Sequence, residues 1–440
     1  MVTRTRHLAV LSVSTAFAAL LVWDTADAGG FAIREQSAAG QGSSFAGVAA
    51  GGALSSMFWN PAAMTQFQGK NFEIDAALIF PRASQTGVAG APLPAIGFTP
   101  GTDNSGSPAV VPSSYTSWQL NDRFWFGVST NSPFGLSVNF ANPVWAGAVY
   151  AQSTSLEMYN VSPSFAYKLT EWLSVGAGVQ IQFGRANLMS LNSAGVGSAN
   201  LFVINGSGWG WGWTAGATIT PTATTSIGIG YRSAINQDID GTLSGSGGAT
   251  TAGAVSTTLK LPDMVSVGLR QGLGSGWTLL GTFEWTNWSR IGTSVVTQAS
   301  GAPALASSGA AIQLPFQYSD GYFYSGGLEY AVNPAWTLRA GFAYEQSPIT
   351  DRVRTPRLPD NDRYWYSVGA TNKMTNRLSV DFGYSYIDVK DTPITITAAS
   401  GNPWFTGSSY VGTASSSIHI LSIGVKYRFD DPPGTGLITK

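Results

Sequence analysis

Residues 209–219 read WGWGWTAGATI, and their two-residue alternation constrains the chain more than any other feature. Trp209, Trp211, Trp213, Ala215, Ala217 and Ile219 share one face of an extended segment, against Gly210, Gly212, Thr214, Gly216 and Thr218. The same period runs through 172–185, where Leu173, Val175, Ala177, Val179, Ile181 and Phe183 oppose Ser174, Gly176, Gly178, Gln180, Gln182 and Gly184. In 376–386, Leu378, Val380, Phe382, Tyr384 and Tyr386 oppose Ser379, Asp381, Gly383 and Ser385. Side chains of a strand point alternately to its two faces, so each segment is a strand with a large apolar face and a smaller, more polar one.

Composition decides what the large face meets. Charged residues are 11% of 440, against roughly 25% in soluble globular chains. A soluble β-sandwich also alternates, but so little charge would leave its exterior sparsely solvated. An outer face in lipid fits instead. No window beyond the N-terminus offers the roughly 20 apolar residues of a spanning helix. The other structure that satisfies every backbone group in lipid is a closed barrel. The formal net charge of -1 gives no electrostatic case for nucleic acid.

The first residues supply a compartment. MVTRTRH is basic, LAVLSVSTAFAALLV is apolar but short for a span, and Ala26-Asp27-Ala28 is a small-x-small site. That order predicts a secretory signal peptide over 1–28, with the mature chain beginning near Gly29. The absence of cysteine is compatible with export.

Beyond residue 70, short polar turns (Leu120-Asn121-Asp122, Thr170-Glu171, Pro221-Thr222, Val332-Asn333-Pro334, Thr375-Asn376) join some segments. Longer Gly/Ser/Ala-rich stretches near 82–112, 189–207, 241–254, 294–311 and 390–414 join the others. This is the pattern of periplasmic turns and extracellular loops, with aromatics gathered near segment ends as interfacial girdles. The segments number about fourteen, giving a transmembrane antiparallel β-barrel over 70–429. The last of them, HILSIGVKYRF, resembles the terminal signal read by the outer-membrane barrel assembly machinery. Pro432-Pro433-Gly434 disfavours more strand, so 430–440 reads as a periplasmic tail.

Residues 29–69 belong to no spanning segment. Apolar Phe31, Ile33, Phe45, Leu54, Met57, Phe58, Trp59, Met64 and Phe67 stand among Gly and Ala. This suits a plug inside a barrel better than a solvated linker. In SSMFWNPAAMTQF, Pro61 fixes its own φ and pushes Asn60 away from helix, so Asn60-Pro61-Ala62 is a defined bend leading into the first strand.

GGFAIREQSAAGQGSSFAGVAAGGALSSMFWNPAAMTQF, together with LNDRFWFGVSTNSPFGL, LKLPDMVSVGL, RLPDNDRYWYSVGA and the closing strand, resembles the FadL-type outer-membrane transporters of long-chain fatty acids and hydrophobic compounds. The resemblance implies a monomeric fourteen-stranded barrel plugged by an N-terminal hatch, whose gating residues are Phe31, Phe58, Trp59, Asn60, Pro61 and Ala62. It also implies lateral diffusion: the ligand enters an apolar pocket and leaves sideways into the membrane through an inward kink of the third strand. Asn131-Ser132-Pro133-Phe134-Gly135 supplies a reason for that kink, because Pro133 has no ladder donor and Gly135 tolerates unusual conformations. The expectation is a kink at Pro133–Gly135 facing Asn60-Pro61-Ala62. A lipophile crosses packed lipopolysaccharide poorly, whereas an apolar pocket gains roughly 25 cal/mol per Å² of apolar surface buried.

The ligand's charge is read from the positions matching the basic side chains of fatty-acid-carrying members, here Ser190 and Ser319 with Arg185 nearby. Arg185 shares parity with lipid-facing residues. An unmet carboxylate in an apolar pocket is costly, which tilts the expectation towards neutral hydrocarbons, aromatics or a protonated fatty acid. By parity Arg232, Arg339, Glu345 and Asp381 face the lumen, and paired structural networks are their usual role. Neither a cofactor nor a metal site is expected, and with His7 and His419 the only histidines no catalytic set can be built. The competing reading is a general diffusion porin, which needs an open lumen.

Overall fold

The computed structural model describes residues 30–88, 101–102, 105–141, 145–191, 201–245, 253–305 and 311–430. The predicted signal peptide, and all of the tail except Asp430, lie outside them.

Fourteen strands close into an antiparallel barrel. They are β1 (Lys70–Val88), β2 (Ala109–Asn121), β3 in two parts (Phe124–Asn131 and Gly135–Asn139), β4 (Ser153–Lys168) and β5 (Leu173–Leu191). Next come β6 (Leu201–Thr222), β7 (Thr225–Arg232 and Ile235–Gly245), β8 (Gly253–Leu261 and Met264–Gly274) and β9 (Trp277–Thr286). The circuit ends with β10 (Gly321–Ala331), β11 (Trp336–Gln346), β12 (Arg363–Lys373), β13 (Leu378–Ile396) and β14 (Tyr410–Arg428). Closure is β1 on β14, in register from Asn71↔Arg428 to Val88↔Val411. Closure leaves no edge to lipid, which is what a strand-built membrane protein requires. Where a loop is expected from about 390, β13 instead runs on to Ile396 past a bulge after Val389.

The alternation is realised as predicted. Trp209, Trp211, Trp213, Phe382, Leu421 and Ile423 are exposed on the outer wall, while Gln180, Gln182, Asp381 and Ser385 are buried inside.

The N-terminal segment fills the barrel. It forms a four-residue helix α1 (Ala38–Gln41) and 3-10 turns at Val48–Ala50, Leu54–Phe58 and Pro61–Gln66. Barrel carboxylates satisfy the free N–H groups at the starts of these turns. Asp75 accepts from the Ala38 N–H at 3.1 Å, and Glu73 from the Leu54 N–H at 2.7 Å. Asn60 caps the last turn, with Pro61 at its first position, as the fixed φ of proline favours. The wall has small residues where the segment's backbone touches it. A Cβ on Gly230 would stand 1.8 Å from the Trp59 carbonyl oxygen, and one on Gly228 1.8 Å from that of Ala49. Inward glycines therefore act as sockets for backbone, which accounts for the small inner face read in the sequence.

Ion pairs link inward side chains of nearby strands along the wall from β8 to β14. Arg339 reaches Glu329 at 2.7 Å and Asp381 at 3.7 Å, Lys426 reaches Asp381 at 2.6 Å, and Arg270 pairs with Glu329. These are structural networks, as parity predicts for Arg339 and Asp381.

Candidate functional site: an interrupted strand closed by the N-terminal segment

Pro133 ends the first half of β3. The ladder between β2 and β3 runs from Asn121↔Phe124 to Ser114↔Thr130 and stops. Beyond the break, Gly135–Asn139 pairs with β4, and the chain leading into β2 rejoins it only at the Gly106–Val138 bridge and the Asn139 N–H to Ser105 carbonyl bond of 3.1 Å, so β2 and β3 part between these levels. The N-terminal segment fills the parting as a short strand. The Ile33 N–H donates to the Pro133 carbonyl at 2.9 Å, and the Gly135 N–H donates to the Phe31 carbonyl at 2.9 Å. Ala32 and Phe134 form the bridge between them.

Gln36 ties the two parted strands together. Its carbonyl oxygen accepts from Tyr115 Oη at 2.6 Å and Ser113 Oγ at 3.1 Å, both on β2. Its side-chain amide donates to the Ser132 carbonyl at 2.8 Å, at the break in β3. Asn131 Nδ2 completes the ring on Tyr115 Oη at 2.8 Å. All of these groups are buried, so each bond replaces one that water cannot supply.

Two cavities flank this closure. The lower is lined by Ile33, Phe58, Trp59, Phe134, Trp288 and Phe323 on its apolar side and by Arg34, Arg232, Glu284 and Glu345 on the other. The upper is lined by Phe31, Leu136, Leu156, Leu188, Phe316 and Trp404 among others. Phe31 stands between them. Its ring lies 4.8 Å from Trp288 and 6.0 Å from Phe134, in edge-on geometry. Such aromatic pairs contribute roughly 0.5–1.5 kcal/mol beyond their buried area.

The charges beside the lower cavity are unevenly compensated. Arg34 bonds Glu284 at 2.7 Å, approaches Glu345 at 3.5 Å and covers the Phe323 ring at 3.7 Å. Arg363 pairs with Asp360 and comes within 3.9 Å of Glu345. Neighbouring Glu35 is buried, and among the described residues neither of its carboxylate oxygens has a hydrogen-bond partner. Burial pushes its carboxyl up to about 7, and Glu345 adds to the effect while its own backbone, Arg34 and Arg363 oppose it. Arg232 donates to the Phe58 carbonyl at 3.0 Å and to Gln180, with no carboxylate partner among the described residues.

Residues 19–429 match the family model described as outer membrane protein transport protein (OMPP1/FadL/TodX). The chain belongs to this family. Among its relatives, the long-chain fatty acid transport protein of Escherichia coli K12 is 26% identical, covering 91% of this chain and 97% of that one. Outer membrane protein P1 of Haemophilus influenzae is 27% identical, covering 85% and 89%. The crystal structure of a Pseudomonas aeruginosa FadL homologue superposes with a TM-score of 0.80 at 25% identity, covering 91% and 100%. The Pseudomonas putida toluene transporter TodX, at 16% identity and a TM-score of 0.66 over 92% and 100%, shares the fold. The protein is thus an outer-membrane β-barrel of the OMPP1/FadL/TodX family, a family of transporters rather than enzymes.

Against that family background, the residues singled out from the sequence separate into two groups. Phe31 and Asn131–Gly135 meet at the break, and Phe58 and Trp59 line the lower cavity. Asn60, Pro61 and Ala62 do not face the break. Asn60 Nδ2 donates to Ala49 O at 2.8 Å, Ala217 O at 3.0 Å and Thr218 Oγ1 at 3.1 Å, which seats the bend against β6. Arg185 is exposed on the outer wall, 5.5 Å from the Phe183 ring, as its parity requires. Ser190 is half-buried near the end of β5 and lines neither of the two cavities. Ser319 is exposed and donates its N–H to Pro348 O at 2.8 Å, while its neighbour Tyr318 lines the upper cavity.

Sequence reasoning passed over Gln36, Trp288 and Arg357. For Arg357 a signal existed, because 351–363 holds Asp351, Arg352, Arg354, Arg357, Asp360, Asp362 and Arg363 in a chain only 11% charged. A local concentration of that kind on a loop points inward to a built structure. Gln36 left no such trace.

Proposed function

We propose that the chain carries hydrophobic molecules, long-chain fatty acids foremost, across the outer membrane by lateral diffusion. The ligand enters the upper cavity from outside, passes Phe31 into the lower cavity, and leaves sideways into the bilayer through the break in β3. One observation carries this reading: Phe31–Ile33 closes that interruption with two backbone hydrogen bonds. A closure so small can open without unseating the rest of the segment. The names of the fatty acid transport protein and TodX agree in direction, since both carry apolar molecules.

In this reading 1–28 is a cleaved signal peptide, 29–69 a hatch, 70–429 the barrel and 430–440 a periplasmic tail. The protein works as a monomer among outer-membrane lipid and lipopolysaccharide, assembled by the barrel assembly machinery. The filled lumen argues against a general diffusion porin.

Uptake tests the proposal in bacteria that lack their own fatty acid transporter and express this chain. Labelled oleate and labelled toluene are compared with a hydrophilic sugar. Uptake of either lipophile without the sugar is the expected result. Sugar uptake with neither lipophile would overturn it.

A further inference from the structure

The wall is interrupted a second time, four strands from β3. β7 and β8 break at one level, at Ser233-Ala234 and Pro262-Asp263, and Pro262 has no N–H to offer a ladder. Ser233, Ile235 and Pro262 line the lower cavity, as Pro133 and Phe134 do. The ladder between β6 and β7 runs from Thr222↔Thr225 to Thr214↔Arg232, and it resumes at Ser207↔Asp240. Six residues of β6, 208–213, therefore face seven of β7, 233–239. The extra residue is a bulge that reverses inward parity, from Arg232 below it to Ile235, Gln237 and Ile239 above.

Along this gap β7 passes behind β6 instead of beside it. A Cβ on Gly210 would stand 3.0 Å from Asn236 O, and one on Gly208 would run into Asp238 O. These glycines alternate with Trp209, Trp211 and Trp213, whose rings are exposed on the outer wall, so the side that meets β7 is the inner one.

Side chains tie the seam. The Ser233 N–H donates to Trp213 O at 2.8 Å, and Ser233 Oγ accepts from the Trp213 N–H at 2.8 Å. Gln180 Nε2 donates to the same Trp213 O at 2.8 Å, and Gln237 Nε2 to Gly208 O at 2.7 Å. Gln182 Nε2 holds Gln237 Oε1 at 3.1 Å, and Arg232 holds Gln180. A ladder opens only when a strand moves, whereas these amides let go by rotating about their own torsions.

We propose that the seam between β6 and β7 is a second lateral portal, through which the lower cavity exchanges flat neutral aromatic molecules with the bilayer. It rests on the transport reading above in taking the lower cavity as a ligand compartment, and adds an exit separate from β3. Rotation of the amides opens a gap no wider than the side chains that leave it, which suits a planar ring passing edge-on. On the lipid side the three indoles offer aromatic faces to receive such a ring. The ties are neutral amides and a hydroxyl, so a neutral ring avoids the desolvation that a carboxylate would face there.

A Cβ on Gly212 would stand 2.8 Å from Ser233 Oγ, so Gly212→Cys with Ser233→Cys brings two sulfurs within disulfide reach across the seam. The test measures release of bound naphthalene and bound oleate from the full chain in lipid nanodiscs, with this pair oxidised and reduced. Oxidation should slow naphthalene release about three- to tenfold and leave oleate release within about twofold. A second pair, Ala32→Cys with Phe134→Cys at the break in β3, should do the converse. Naphthalene release that is equal in both states of the seam pair, or that the β3 pair alone stops, would overturn the portal. Heat-modifiable gel migration verifies folding. Should the seam pair fail to assemble, Gln237→Leu decides: it removes the tie to Gly208 O and should speed naphthalene release by a similar factor, and an unchanged rate would overturn the portal. Cell uptake separates the two readings. Seam-dependent release without uptake of any lipophile would remove the transport reading and leave the portal, and uptake with release indifferent to the seam would do the reverse.

Discussion

Tyr115 and Gln36 are joined by a hydrogen bond of 2.6 Å from the tyrosine hydroxyl to the Gln36 carbonyl oxygen. This bond anchors the N-terminal segment to β2 at the level where β2 loses β3. The Gln36 side chain then reaches the Ser132 carbonyl on the other bank, so one residue spans the parting.

Replacing Gln36 by Ala keeps the backbone bond and removes the reach across. The Ser132 carbonyl and the Asn131 amide then lose a buried partner, at a cost of roughly 1–3 kcal/mol. The midpoint of heat-modifiable migration should fall, and leakage of a small hydrophilic dye from proteoliposomes should rise. A variant with the wild-type midpoint and no leak would show that Gln36 does not latch the closure.

Glu35 sets a pH dependence whose sign is fixed. Its carboxyl rises from 4.5 to about 7 in the folded protein. Between those values the folded state keeps a proton that the unfolded state has lost, so stability declines as pH rises through this window. Glu35→Gln removes the decline. Below pH 4.5 the variant and wild type should melt alike, and by pH 8 the variant should be more stable by up to roughly 3 kcal/mol. Parallel curves across the range would contradict the assignment.

The Gly230 socket predicts a steric defect. In Gly230→Val the side chain would begin 1.8 Å from the Trp59 carbonyl oxygen, so the segment cannot seat as it does now. Planar-bilayer recordings should show steady conductance absent from wild type. Gly326→Ala, where nothing lies within 4 Å of the new atom, should record as wild type.

Much of this could be read from residue order, and the rest depended on register. Trp209, Trp211 and Trp213 announce an outer face because lipid rewards large side chains at every second position of a strand. Asn60-Pro61-Ala62 announces a bend because proline acts on its own neighbours. Neither local rule says which wall the bend meets. Asn60 finds Thr218 across 158 positions and Gln36 finds Ser132 across 96, so those partners are set by how fourteen strands close. Thus the break at Pro133 was legible, but its occupant, Phe31–Gln36, was not. The carboxylate question shows the same limit. Ser190 and Ser319 were chosen by matching positions along the chain, whereas Arg357, which lines the upper cavity, comes from the loop between β11 and β12.

The central claim is that Phe31–Ile33 must part from Pro133–Gly135 for transport. Ala32 and Phe134 form a bridge, and such antiparallel partners lie about 4.5–5.5 Å apart at Cα, within disulfide range. The chain has no cysteine of its own, so Ala32→Cys with Phe134→Cys makes a single reversible lock. The decisive measurement is oleate uptake by cells expressing this double variant, before and after reduction. The account predicts that the oxidised protein takes up almost none and that reductant restores uptake to the level of the two single variants. Equal uptake in the oxidised and reduced states would mean the ligand does not leave through β3.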